Sequence, residues 1–103
     1  MKKTEIIEAV TTYVKKSISP FDGILTVVAT LTLDPATSAV TVIIKSLKDL
    51  SSRLETSSIE DEQENILEQI LQKIRELQEA GVKIPDVVVT EMEEAIYNFS
   101  SAE

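Results

Sequence analysis

The sequence predicts an all-α fold, a small antiparallel bundle of four or five helices. Apolar residues recur every three or four positions over most of the chain, which is the period of an amphipathic helix. Ser, Pro and Gly residues interrupt this pattern at intervals of about one helix length. With 103 residues there is room for one hydrophobic core, so we expect residues 1–103 to form a single helical domain.

The first predicted helix spans residues 4–17. Its apolar positions are Ile6, Ile7, Val10, Tyr13 and Val14. A second helix start follows at Ser19 and Pro20, because serine caps helix N-termini and proline is tolerated at the first helical position. The second predicted helix therefore runs from Pro20 to about residue 33.

Residues 24–33 fit two different structures. Apolar residues also alternate there with threonine and valine, which is the period of a strand with one buried face. The alternative fold is α+β, with one β-hairpin at residues 24–44 that turns through residues 34–38. The Ser–Pro start has no role in a strand and favours the helix, but the pattern alone leaves both structures open.

The third predicted helix follows Pro35. Its apolar seam consists of Val40, Ile43, Ile44, Leu47, Leu50 and Leu54. A seam at this spacing indicates burial against partner helices. Polar residues 56–58 end the helix, and Ser58 with Asp61 predicts a capping-box-like start for the fourth helix.

The fourth predicted helix has the clearest pattern in the chain. Its apolar stripe consists of Ile66, Leu67, Ile70, Leu71, Ile74 and Leu77. Gly81 follows at the position where a helix C-terminus needs a residue in the left-handed conformation. Pro85 and Asp86 open a last helix, whose own apolar stripe ends near Phe99.

The composition argues against an enzyme. The chain has no histidine and no cysteine, so it lacks the commonest general base and a thiolate nucleophile. Glu60, Glu64 and Glu68 lie at i, i+4 spacing and are the best candidates to hold Mg²⁺ or Ca²⁺. Such a ladder is more typical of a solvated helix face. We therefore expect no catalytic residue, no metal site and no cofactor.

The net charge of −8 is concentrated in residues 58–103, which hold twelve acidic and three basic groups. An acidic surface repels phosphate backbones, so direct nucleic-acid binding is not expected. The same surface suits a basic protein partner, and we expect Glu60, Glu64, Glu68 and Glu91 to be its contacts. The alternative is that this charge serves solubility alone.

The apolar residues between positions 20 and 44 predict a second kind of contact. Burial on several sides is difficult in so short a chain, and a homodimer through Val40, Ile44 and Leu47 is the alternative to burial within one bundle. Asp34 and Pro35 interrupt this segment, so no membrane span is expected, and the lack of cysteine fits the cytoplasm. The sequence thus favours a small acidic regulatory or inhibitory protein, with a homo-oligomeric scaffold as the alternative.

Overall fold

The computed structural model describes residues 2–19 and 35–102 of the chain. These residues form the helices α1 (Lys3–Ile18), α2 (Pro35–Thr56), α3 (Glu60–Glu79) and α4 (Asp86–Phe99). Within the described ranges there is no β-strand. The predicted all-α bundle is therefore confirmed.

The predicted elements agree with these helices where both are defined. The first predicted helix, 4–17, falls within α1, which is one residue longer at each end. The alternative hairpin is wrong, because its second strand would occupy residues 39–44, which are helical in α2. The predicted helix at 20–33 and the first strand of the hairpin lie outside the described residues.

The four helices form a closed ring: α1 contacts α2 and α4, and α3 contacts the same two helices. The ammonium of Lys3 lies 5.5 Å from the centre of the Phe99 ring, so the start of α1 meets the end of α4. Further along α1, Tyr13 bonds to Glu91 nearer the start of α4, so these two helices are antiparallel. Residues 57–59 form the short connection that turns the chain from α2 into α3.

One apolar core lies at the centre of this ring, and all four helices contribute to it. Its side chains without exposed area include Ile6, Val10, Val14, Ile44, Leu47, Leu67, Ile70, Ile74, Leu77 and Met92. Burial of each such aliphatic side chain contributes about 1.5–3 kcal/mol to the free energy of folding. The apolar stripes predicted for the first, third, fourth and last helices are therefore the core faces of α1 to α4.

The end of α3 has the geometry that its glycine predicts. Gly81 has a φ of 97°, a conformation that residues with a side chain rarely adopt. The backbone N–H of Val82 donates to the carbonyl of Leu77, and that of Gly81 donates to the carbonyl of Gln78, both at 3.0 Å. This pair of bonds is a Schellman motif, which satisfies two carbonyls at the helix end.

The start of α3 differs from the prediction. Ile59 occupies the N-cap position and no side chain caps the helix, so the predicted capping box of Ser58 and Asp61 is wrong. Ser58 lies one residue before the cap and cannot act as its side-chain acceptor. Ser57 stabilises the turn instead, because its carbonyl accepts a hydrogen bond of 2.8 Å from the side-chain amide of Gln63.

The polar faces of the helices distinguish them from membrane spans. The longest helix, α2, has 22 residues and exposes Lys45, Lys48 and Asp49 on its outer side. In the described parts of the chain, no helix is both long and apolar enough to cross a lipid bilayer.

Candidate protein-binding surface

The outward side of α3 is a continuous polar stripe. Its exposed members, spaced alternately by four and three residues, are Asp61, Asn65, Glu68, Gln72, Arg75 and Glu79. This spacing keeps all six on one face of the helix, over about 27 Å of its length. The opposite face of α3 packs into the core, so the whole outward stripe is available to a partner.

The cations of α3 are both engaged by carboxylates. Arg75 donates from Nη2 to the carboxylate of Glu93 on α4 at 2.5 Å, and Lys73 lies 3.1 Å from Glu76 on α3 itself. Among the described residues, no cation forms an ion pair with Glu68 or with the other acidic members of the stripe. The outward stripe is therefore a surface of uncompensated negative charge.

The four glutamates that the sequence singled out have different surroundings. Glu60 forms an ion pair with Lys3 of α1, and Glu91 accepts a hydrogen bond from the hydroxyl of Tyr13. Glu68 is exposed on the outward stripe, whereas Glu64 is half-buried, and neither forms an ion pair with a described residue. Two of the four carboxylates, Glu64 and Glu68, are thus without an ion pair among the described residues.

The glutamate ladder does not keep to one face. Each i, i+4 step rotates by about 40° around the helix, so three glutamates at this spacing turn by about 80° in total. Glu60 therefore faces α1, whereas Glu68 belongs to the outward stripe. Over residues 2–19 and 35–102, no three carboxylates converge closely enough to hold a metal ion.

The contact between Tyr13 and Glu91 joins the first and the last helix. The hydrogen bond that Tyr13 donates to this carboxylate raises the pKa of the phenol above its ordinary value of 10.0. Burial and the negative charge of Glu91 raise this pKa further. One oxygen of the Glu91 carboxylate is thus occupied within the chain, and the other stays available to a donor on a partner.

Sequence reasoning missed two apolar side chains on the outer face of α4. Tyr97 is 83% exposed and Val87 is 62% exposed, and both lie off the apolar stripe that packs α4 into the core. They are ten residues apart, nearly three helical turns, with exposed Glu94 between them on the same side. Exposed tyrosines are frequent anchors of protein interfaces, so α4 carries a candidate apolar anchor as well as acidic side chains.

The residues predicted for an oligomer interface lie mainly inside the bundle. The side chains of Ile44 and Leu47 have no exposed area, and Val40 is half-buried against the same core. Val42, on the other side of α2, is 63% exposed. Ile44 and Leu47 thus contact their own chain, and among the described side chains of α2 the exposed large apolar one is that of Val42.

Comparison with known proteins gives no relative for this chain. No protein-family model matches it, and it has no significant match among curated proteins or solved structures. A function is therefore inferred from the surfaces of the chain itself.

Proposed function

We propose that this chain is a small, non-catalytic regulatory or inhibitory protein that binds a basic protein partner through the outward surfaces of α3 and α4. The uncompensated charge of the outward stripe, at Asp61, Glu68 and Glu79, is the observation that carries the proposal. Such a surface attracts a cationic protein at long range and favours the correct orientation on encounter.

The proposed contacts differ in how many oxygen atoms they offer. Glu64 and Glu68 can use both carboxylate oxygens, which suits paired hydrogen bonds from an arginine. Glu60 and Glu91 each have one oxygen occupied, by Lys3 and Tyr13 respectively, and offer the other. We therefore expect the strongest contributions to partner binding from Glu64 and Glu68.

The exposed side chain of Tyr97 indicates what kind of basic partner fits this surface. A purely electrostatic contact is weakened by salt and by the entropy of long side chains. Tyr97 and Val87 supply apolar area next to the carboxylates, so the partner should present an apolar patch bordered by Lys and Arg. A protein that itself binds phosphate groups has such a surface, and covering it would inhibit that protein. We propose that this association takes place in the cytoplasm.

The test is capture of the partner from native lysate with the tagged chain at low and at high salt. We expect a basic protein that is retained at low salt and released at high salt, because exposed charge pairs are screened. The double variant Glu64→Gln/Glu68→Gln should then bind the purified partner about three- to tenfold more weakly.

The matched control is Glu5→Gln/Glu8→Gln, which removes the same charge from exposed positions on α1. We expect it to retain the affinity of the original chain at equal ionic strength. If both double variants lose affinity equally, Glu64 and Glu68 are not part of the binding site, and net charge alone explains the association.

A homo-oligomeric scaffold is the second candidate, and the exposure of Val42 is the observation that favours it. A second copy seated on this side of α2 would bury Val42. Association of this kind should be nearly indifferent to salt, since apolar burial is not screened. Light scattering of the purified chain at two salt concentrations gives its mass, and Val42→Lys should convert such an oligomer to a monomer.

A further inference from the structure

An apolar groove lies between the C-terminal half of α1 and the connection from α3 to α4. Its volume is about 480 Å³, within the range of small-molecule sites. The residues that line it and bear on ligand binding are Tyr13, Lys16, Val82, Lys83, Ile84 and Val88. The groove shares no residue with the outward stripe of α3.

The lining of the groove includes two lysines, Lys16 and Lys83. Lys16 and Lys83 are both exposed, and neither forms an ion pair with any residue that the structure describes. The chain has a net charge of −8, yet the described residues that line this apolar groove include no acidic side chain. The hydroxyl of Tyr13 already donates to Glu91, so the side-chain donors that remain in the lining are those of Lys16, Lys83 and Ser17.

We propose that this groove binds a small anionic amphiphile of the fatty-acid type. The alkyl chain would lie along Val82 and Val88, where its burial removes apolar surface from water. The carboxylate would lie at the opening, within reach of Lys16 and Lys83. The two ammonium groups attract an anion more strongly than a neutral molecule of the same length. Salt screens the repulsion from acidic groups far from the groove, so the nearby lysines dominate.

The test uses octanoate and 1-octanol, two probes that have the same chain length and differ in charge. Each is titrated into the isotope-labelled full chain, and amide chemical shifts are followed by NMR. We expect octanoate to shift the resonances of Val82, Lys83 and Val88, and to bind more tightly than octanol. If both probes bind equally, or if the shifts map to another surface, the proposal is overturned.

Charge variants test the role of the lysines. Lys16→Gln and Lys83→Gln should each weaken octanoate binding about two- to fivefold, the effect of one exposed charge pair, and leave octanol binding unchanged. The control is Lys45→Gln, an exposed position on α2 that does not line the groove. Loss of octanoate affinity in the control, or retention of full affinity in both groove variants, would contradict the proposal.

A second pair of variants tests the apolar wall. Val88→Thr keeps the shape of the side chain but makes it polar, and should weaken the binding of both probes, whereas Val87→Thr on the exposed side of α4 should not. The same spectra distinguish two other occupants, residues 20–34 of the same chain and a second copy of it. In either case neither probe would shift the groove resonances, and nuclear Overhauser contacts to Val88 would identify the occupant and overturn the proposal.

Discussion

The hydroxyl of Tyr13 on α1 donates a hydrogen bond to the carboxylate of Glu91 on α4, across 78 positions of sequence. Ionisation of the phenol would remove the donor and place two negative charges side by side. The hydrogen bond to Glu91, the burial of the phenol and the charge of Glu91 accordingly raise the pKa of Tyr13. This hydrogen bond between the first and the last helix therefore depends on a proton.

This dependence predicts a change in the titration of Tyr13. The chain has two tyrosines, so Tyr97→Phe leaves Tyr13 as the only one, and its ionisation can be followed by ultraviolet absorbance. In that background, Glu91→Gln should lower the pKa of Tyr13, because the charged acceptor is lost. An unchanged pKa in the Gln variant would show that this hydrogen bond does not persist in solution.

The same contact sets the sign of a stability change at alkaline pH. A group whose pKa is higher in the folded state stabilises that state below its unfolded pKa, which is about 10 for tyrosine. The stabilisation is lost as pH rises through the raised pKa of folded Tyr13. Urea denaturation on both sides of this range should show a larger loss for the original chain than for Tyr13→Phe, which has no phenol to ionise at this position.

The burial of Ile44 and Leu47 predicts a large loss of stability on truncation. Each side chain has no exposed area, so Ile44→Ala or Leu47→Ala should lower the free energy of unfolding by about 2–5 kcal/mol. The control Val42→Ala, at a position that is 63% exposed, should change it by about 0.5 kcal/mol or less.

Urea denaturation at several protein concentrations measures this loss of stability. It also distinguishes packing of α2 within one chain from packing against a second copy. If the residues serve only the core of one chain, the midpoint does not depend on protein concentration. A midpoint that rises with concentration would show that the folded state is an oligomer, and a rise that persists in Val42→Lys would contradict the single-chain account of Ile44 and Leu47.

Features with a local cause could be predicted from the sequence. The core stripe of α3 follows from helical periodicity, and the end of that helix follows from the conformational freedom of Gly81. The capping residue could not be predicted with the same success, because a shift of one residue in the helix start moves Ser58 out of the cap position and places Ile59 there.

The surroundings of the proposed binding residues depend on contacts between residues that are far apart in the sequence. Local spacing does not show such contacts, so the prediction was incomplete there. Glu60 pairs with Lys3, which lies 57 positions away, and nothing in the local spacing indicates this partner. The seam containing Ile44 was visible in the sequence, but an apolar stripe has the same spacing whether it packs on its own chain or on another. Exposed Tyr97 was missed because helical spacing identifies the buried face of α4 and says little about single residues outside it.

The conformation of Gly81 predicts a specific order of stabilities. A Cβ atom built at this position meets no atom within 4 Å, so a substitution is opposed by the backbone alone. Gly81→Ala should lower the free energy of unfolding by about 1–2 kcal/mol, the cost of a left-handed conformation for a residue with a side chain. Gly81→Asn should cost less, because asparagine adopts this region more readily. Thermal denaturation measures the order, and an alanine variant as stable as the original would show that the end of α3 adopts another conformation.

The amide of Gln78 holds the connection between α3 and α4 in place. Its Nε2 donates to the carbonyl of Ile84 at 2.8 Å and to the carboxylate of Asp86 at 3.2 Å. Gln78→Ala should lower the free energy of unfolding by about 1–2 kcal/mol, because two acceptors lose their donor. Gln78→Glu should be more destabilising at neutral pH, since it places a carboxylate against both acceptors.

The matched control for Gln78→Glu is Gln72→Glu, which adds the same charge to the exposed stripe of α3 and should change stability little. Acidification toward about pH 4 should narrow the difference between Gln78→Glu and Gln78→Ala, because a protonated glutamate regains one donor. Urea denaturation at the two pH values measures both effects. Equal destabilisation by the two glutamate variants would mean that added negative charge, rather than the lost donor of Gln78, is the cause, and that this amide does not fix the start of α4.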